Sequence, residues 1–554
     1  MLFQNVKIRK RCGKVRFFVW VEVTPKTIFC LCAIIFSLAL NACRNSQKVD
    51  LRRLTPAGTI VYLETNNLAK TLAAITENQA FRELADQTPD FSALENVQLA
   101  IAVTGFETSE NQVSDENSVI NFTPRFVAVA ETHAWQWQTV ALAENQLDNF
   151  VRETYGADAA LEKSDKPNGK FFAWTAKDGR KVFAFVAGSQ IYFGNDLAAI
   201  EKRISDNPTD NQSLADGESF SRADPENSAT NLAFGYVSSI GIAQIANLAG
   251  VSVAVETTEE SNGRSFIARI LPQILQNTTQ EIVWTASKTE RGIEDKFVIS
   301  LKPEVTAVTK ETLTTTADLS ANSAEFLPAE FFSATRYKLK SPLIAWRSLL
   351  FLTAKNTDAL SGQLLMRFSG ALLEPYGVAD AEKFLNSIDA EIVTMQFDAG
   401  GEASAAIVTV KNVEELKKSI VQEIVFKTAP TMQFNAAIWF SENKQSAAAF
   451  IENKLVLGES SSVTKCLQAK ENGRNFTQTR NFQKFNESRA AAVTFGRDMD
   501  SIEKIVEVLA KRNDENRKLA TFYTTETRFT QTGIERKTVS DFGLIGTILK
   551  QLSR

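Results

Sequence analysis

KFFAWTAKDGRKVFAFVAGSQIYFG, residues 170–194, is the stretch on which the fold turns. Three short runs of aromatic and β-branched residues are separated by Asp178-Gly179 and by Gly188-Ser189. Glycine accepts positive φ, so both separators are hairpin turns and the stretch predicts three antiparallel strands. Farther on, NAAIWFSENKQSAAAFIENKLVLG at residues 435–458 repeats the pattern, with Glu442-Asn443-Lys444 as its first turn.

Outward from these meanders the matches continue in order. Leu54-Thr55-Pro56-Ala57 corresponds to Phe326-Leu327-Pro328-Ala329, and Trp174, Ala184, Phe185 and Val186 to Trp439, Ala449, Phe450 and Ile451. Ile191-Tyr192-Phe193-Gly194 corresponds to Leu455-Val456-Leu457-Gly458, and Phe234-Gly235 to Phe495-Gly496. Last, Gly292-Ile293-Glu294 with Lys296 and Val298 corresponds to Gly533-Ile534-Glu535 with Lys537 and Val539. The offsets fall steadily through 272, 265, 264, 261 and 241. One duplication followed by scattered deletions gives such a drift, whereas chance matches would not keep order.

Helix-period segments lie between the strands: Leu68 to Leu84, Leu142 to Tyr155, Asp196 through Ile204, Val413 to Phe426, Val463 to Ala469 and Met499 to Lys511. In the last, Ile502, Ile505, Val506 and Leu509 share one face at the i, i+3, i+4, i+7 spacing. The expectation is an α+β protein made of two tandem copies of a domain, each a twisted antiparallel sheet covered by helices. The expected order is a signal segment (1–42), a tether (43–53), repeat 1 (54–304), a Thr/Ser/Ala-rich linker (305–323) and repeat 2 (324–554). The tract Asp206 to Ser228 is expected to be an exposed loop, and residues 241–280, with the apolar run Ile267 to Leu275 broken by Pro272, a helical insertion, the other reading being that this segment touches lipid.

At the N-terminus, Lys7, Arg9, Lys10, Arg11, Lys14, Arg16 and Lys26 precede the apolar run Ile28 to Leu40, which ends in Leu40-Asn41-Ala42-Cys43. The run is shorter than the roughly 20 residues a stable span needs. The layout resembles a bacterial lipoprotein signal, which implies cleavage between Ala42 and Cys43 and lipid on the Cys43 thiol. The other reading of the same residues is an uncleaved signal anchor with Cys43 unmodified. Arg44 follows where enteric bacteria use Asp to retain lipoproteins in the inner membrane, so the resemblance implies the outer membrane where a cell has one.

Removing residues 1–42 takes away 7 Lys/Arg and 1 Asp/Glu, leaving 54 basic against 64 acidic residues and a net charge of −10. Such a body gains nothing from nucleic acid or from an anionic bilayer surface, both of which reward basic patches, and nucleic acid is rejected as a partner. Cys12, Cys30 and Cys32 leave with the signal, so only Cys43 and Cys466 remain, and Cys466 reads as a small buried residue.

Catalytic patterns are weak. The single histidine, His133, sits between the strand Phe126–Val129 and Trp135 and Trp137, and reads as structural or surface. Ser462 to Lys465 and Ser501 to Lys504 are SxxK tetrads, and Ser205-Asp206-Asn207 is an SDN triplet. Together they resemble the serine β-lactamase set, but SDN comes first and no KTG follows. Asp541-Phe542-Gly543 lacks the companion loops of a kinase. No metal ligand set or cofactor is expected.

Finally, the opening Pro56-Ala57-Gly58-Thr59-Ile60-Val61-Tyr62-Leu63, the sheet meander ending in Gly194 or Gly458, and the closing Gly-Ile-Glu strands resemble the DUF3352-like bacterial envelope lipoproteins, whose domain has no assigned function. Copy two departs from the opening, with Glu330 where copy one has Gly58. The resemblance implies no active site. The reading is a lipid-anchored cell-envelope protein, held to the membrane by its N-terminal lipid, that binds or scaffolds without catalysis; its partner is an envelope protein or an apolar ligand. The 38 Phe residues suit well-filled cores between sheets and helices; the alternatives are a carrier holding a hydrophobic ligand in an apolar groove on one sheet, and a Ser/Lys hydrolase at Ser462 or Ser501.

Overall fold

The computed structural model describes residues 9–11, 14–16 and 48–551, apart from 115–116, 205–211, 218–219, 221–230, 257–261, 314, 316–321, 480–481, 499–501 and 513–518. Near the start, β1 (Arg9–Arg11) and β2 (Lys14–Arg16) form a two-stranded antiparallel ladder. Helices and antiparallel strands make up the rest, which is the α+β class. Two compact units are present. One comprises Met1–Phe297, Asp500–Leu519 and Asp541–Arg554; the other comprises Val298–Met499 and Ala520–Ser540.

The first unit contains β3 (Val61–Thr65), β4 (Gln98–Ser114), β5 (Asn117–Glu131), β6 (Ala160–Lys166), β7 (Gly169–Thr175), β8 (Lys181–Ala187), β9 (Gln190–Gly194), β10 (Ala233–Val237) and β11 (Thr279–Thr289), and β12 (Gly292–Leu301) begins in it. Its antiparallel order is β6-β7-β8-β9-β5-β4-β3-β10-β11. The meander expected at residues 170–194 is present as β7-β8-β9, with Phe172 opposite Ala184 and Phe185 opposite Tyr192. Alternation then places Phe172, Trp174, Val182, Ala184 and Val186 in one buried core. Helices Leu68–Thr76, Gln79–Leu84 and Asp148–Tyr155 close over this core with Leu72, Phe81 and Phe150. A buried indole needs an acceptor, and Trp174 Nε1 donates to Asp148 Oδ1 at 2.9 Å.

In the second unit, β13 (Ser333–Lys338), β14 (Ile388–Gln396), β15 (Ser404–Val410), β16 (Thr431–Gln433), β17 (Ala436–Phe440), β18 (Ser446–Ile451), β19 (Lys454–Glu459), β20 (Ala492–Asp498), β21 (Thr521–Phe529) and β22 (Gly533–Ser540) run in the order β16-β17-β18-β19-β15-β14-β13-β20-β21-β22. From β16 to β21 this repeats the first unit's order with every number raised by ten, and β22 is added at the edge. A core of Phe326, Phe331, Phe476, Phe485 and Phe495 lies against it, with Phe476 and Phe495 ring centroids 5.0 Å apart.

Matched glycines occupy matched environments. A Cβ on Gly194 would lie 2.0 Å from the Phe126 carbonyl on β5, and one on Gly458 would lie 2.3 Å from the Ser404 carbonyl on β15. Likewise a Cβ on Gly235 would meet the Trp284 ring, and one on Gly496 the Tyr523 ring, each on the neighbouring strand. Only glycine lets the backbone or ring approach so closely.

The match of Trp174 with Trp439 is not a structural equivalence. Trp174 shares a core with Ala184, whereas Trp439 is opposite Ala448, so Ala449 and Ile438 point to one face and Trp439 to the other. The turn after β17 differs by one residue from the turn after β7, and a one-residue slip exchanges the faces. Trp439 instead packs on Phe426 and Phe450 and donates its indole N–H to the Thr428 carbonyl at 3.0 Å.

Several helix expectations are corrected. Asn78 interrupts 68–84 because its Oδ1 accepts from Ala80 N at 2.8 Å and starts a new helix there. Expected helix 413–426 stops at Lys417, beyond which Ile420 and Ile424 bury through isolated bridges to Val378 and Ser441. Helix Pro303–Thr312 occupies half of the expected linker, with Val305, Thr306 and Thr309 buried and proline at its first turn. The described part of the 206–228 tract includes Leu214 and Phe220, both buried, with the Phe220 ring 5.0 Å from Tyr236. The expected insertion is helical, Ser239–Glu256 and Asn262–Thr278.

Grouping by compactness also departs from chain order. Helices Ile502–Leu509 and Gly543–Gln551, placed in repeat 2 by the sequence, bury Ile502, Ile505, Val506, Ile545 and Leu549 in the first unit's core. The Asp295 carboxylate ties the second of these down, accepting from Leu544 N at 2.7 Å and from Trp284 Nε1 at 2.8 Å.

Candidate functional site

Ala42, Cys43, Ser501 and the Ser205-Asp206-Asn207 triplet lie outside the described residues. Close after Cys43 the chain is already held. Val49 N donates to Gln98 Oε1 at 2.9 Å, and the short helix Leu51–Leu54 starts at Asp50, whose carboxylate caps Arg52 N. Leu51 and Arg52 are buried. Arg52 Nη2 donates to Glu64 Oε1 at 2.6 Å, Tyr62 donates its hydroxyl to Glu64 Oε2 at 2.7 Å, and the guanidinium stands 4.9 Å from the Phe234 ring centroid. Burial first, and the Glu64 charge second, hold the Tyr62 hydroxyl well above its ordinary pKa. The expected tether 43–53 is therefore docked from Val49 onward.

The sequence-derived catalytic candidates take structural positions. Ser462 is fully buried, and its hydroxyl donates to Glu459 Oε2 at 2.7 Å. Glu459 also accepts from the Ser461 and Ser462 amides, which is helix capping. Lys465 instead lies over the Phe397 ring, 4.8 Å from its centroid. Cys466 is fully buried, which pushes its thiol far above its ordinary pKa. His133 has a left-handed backbone, φ 53°, fastened by its own N–H to Glu131 Oε1 at 2.9 Å. Phe542 is buried and Gly543, φ 60°, leads into the last helix. Among the described residues no cluster of His, Cys, Asp and Glu could hold a metal ion.

One chemically suggestive cluster escaped the sequence reading. Lys454 Nζ donates to Ser323 Oγ at 2.9 Å and to Thr409 Oγ1 at 2.6 Å, while Ser323 donates to Glu391 Oε2 at 2.7 Å. Burial lowers the Lys454 pKa, as in a Ser/Lys nucleophile pair. Yet Ser323 is 1% exposed and Lys454 5%, so no substrate carbonyl reaches the hydroxyl. The cluster neutralises a buried Glu391 between β14 and the residues before β13.

What stands open is a helical hairpin in the second unit. Ser341 caps helix Pro342–Lys355 through Ile344 N, with Pro342 at the first helical position. Asp358 caps helix Ala359–Phe368 by accepting from Ser361 N at 2.9 Å. Gly362 lets the two helices close up, since a Cβ there would lie 2.7 Å from the Ala354 carbonyl. Ile344, Leu349 and Phe351 on the first helix and Leu360, Met366 and Phe368 on the second are 45–62% exposed. A groove of about 590 Å³, open to solvent, runs along Ala354, Ala359, Gly362, Gln363, Met366 and Arg367.

No family model matches the chain, and no curated protein matches it. Among solved structures, crystal form I of TP0453 aligns with 42% of this chain and 98% of its own at 10% identity, with a TM-score of 0.22. So low a score carries no argument about fold or role.

Proposed function

We propose that this is a lipid-anchored cell-envelope protein, anchored through Cys43, whose body is two copies of one domain and which binds or scaffolds without catalysis. The duplication is supported by the shared strand order and by the paired environments of Gly194 with Gly458 and Gly235 with Gly496. The binding role rests on one observation, the gathering of six exposed large apolar side chains on one helical hairpin. A carrier would need to enclose 70–90% of its ligand's surface, and the open groove beside Met366 does not supply that enclosure. The anchor is tested by growth with an alkyne-bearing fatty acid: label should appear on the protein and vanish in Cys43→Ser. Absence of label from the wild-type protein would overturn the anchor. For the binding role, native mass spectrometry of protein extracted from the envelope should show a second macromolecule or retained lipid, and a bare monomer would count against it.

A further inference from the structure

A helix that is apolar all round ordinarily sits in a core. The Pro342–Lys355 helix, PLIAWRSLLFLTAK, is apolar on nearly every face, yet Ile344 is 52% and Phe351 58% exposed. Ile344 and Phe351, seven residues apart, share one face of the first helix, whereas Leu349 lies roughly 140° round from Ile344, so the six exposed side chains are spread over more than one face of the hairpin.

We infer that this hairpin docks onto a lipid bilayer containing anionic headgroups, its exposed apolar side chains entering the boundary between headgroups and acyl chains. The inference rests on the membrane-anchored reading and names the surface that the hairpin meets. Charge is the first reason. Residues 340–376 carry Lys340, Arg347, Lys355 and Arg367 against Asp358 and Glu374, a net of +2, whereas the chain from Cys43 onward is net −10. Pairing of Arg347 with Glu382 at 2.8 Å leaves Lys340, Lys355 and Arg367 as exposed cations against the exposed carboxylates of Asp358 and Glu374, a net of +1. Each basic side chain near an anionic surface adds attraction. A second copy on the same face would set these cations against their own kind. The balance over the whole chain conceals this local reversal.

The second reason is reach. Only five residues separate Cys43 from Val49, where the body is already bonded, so a lipid on Cys43 holds the first unit within about 20 Å of its attachment point. Such a tether would keep the chain beside a bilayer.

The test uses residues 43–554 with Cys43→Ser, which have neither acyl chain nor signal, and sedimentation with vesicles of phosphatidylglycerol and phosphatidylcholine (1:1) or of phosphatidylcholine alone. The protein should sediment with the anionic vesicles. The double variant Phe351→Glu, Leu360→Glu, whose sites are exposed, should partition at least tenfold less with an unchanged melting curve. No sedimentation by the parent protein, or equal sedimentation by the variant, would overturn the inference. So would a dimer in sedimentation velocity that the double variant dissolves, since the occupant would then be a second copy. Failure here with fatty-acid label present on Cys43 rejects the hairpin's role alone; vesicle binding without label rejects the anchor alone.

Discussion

Asp295 gives the first unit a pH dependence opposite in sign to that of most paired carboxylates. Its side chain, 3% exposed, lies between the Trp284 indole and the Leu544 amide in the first turn of the last helix, and burial raises its pKa to about 6 against two hydrogen bonds that pull it down. A folded pKa above the unfolded value means the folded state holds the proton more tightly. The stability that Asp295 contributes is therefore greatest below about pH 4, falls as pH rises through the interval to 6, and is flat above. A shift of about 2 units at 1.36 kcal/mol each puts the fall at about 3 kcal/mol. Asp295→Asn removes the titration. The amide keeps one acceptor and opposes the second donor, a loss of about 1–2 kcal/mol that does not vary with pH. Urea melts at pH steps from 4 to 8, followed by tryptophan fluorescence and by hydrogen exchange of a 541–551 peptide, would compare the two proteins. Every other group titrates alike in both, so the wild-type minus variant difference should fall by about 3 kcal/mol between pH 4 and pH 7. A difference constant with pH, or one that rises, would refute the reasoning, the latter by showing that the two donors outweigh desolvation.

Gly458→Ala should destabilise the second unit by several kcal/mol, on the order of 3 or more, because its Cβ would overlap the Ser404 carbonyl at φ 150°. Gly179→Ala, with open space and only its φ of 84° to strain it, should cost about 1 kcal/mol, and equal losses in urea melts would contradict this. Arg52→Leu leaves Glu64 buried and uncompensated, a loss of about 3–5 kcal/mol, and Arg52→Leu with Glu64→Leu should recover most of it. If the double variant melts no later than the single, the ion pair is not the cause. Cys466 should resist iodoacetamide in the folded protein and react on unfolding, so its labelling rate in urea reports the opening of the second unit's core; rapid native labelling would contradict its burial.

Strands were legible in the sequence wherever glycine turns separate alternating residues, which is why β7, β8 and β9 fall where residues 170–194 place them. Helix ends were less so, because Asn78 looks like an ordinary interior residue until its side chain is seen to cap Ala80. Trp174 and Trp439 align as letters, yet a one-residue change in a turn turns one inward and the other to the opposite face, and no string comparison registers that. The periodicity of Ile502, Ile505 and Val506 announced a buried face without stating which sheet would bury it. Candidate sites fared worse. Ser323 and Lys454 are 131 residues apart and meet only in the fold. The hairpin at 342–368 reads from its composition as core, and only coordinates reveal that its apolar side chains are left outside.

Membership of the Ile502–Leu509 and Gly543–Gln551 helices in the first unit also sets a timetable. A chain exported N-terminus first would deliver the sheet of that unit early, but the side chains of Ile545 and Leu549 that complete its core come almost last. The early half must wait, with Leu84 and Phe81 still wet, until translocation is all but over. For such a chain the final step of folding is a closure by its own tail, and the interval before it is when a chaperone of the compartment has most to hold.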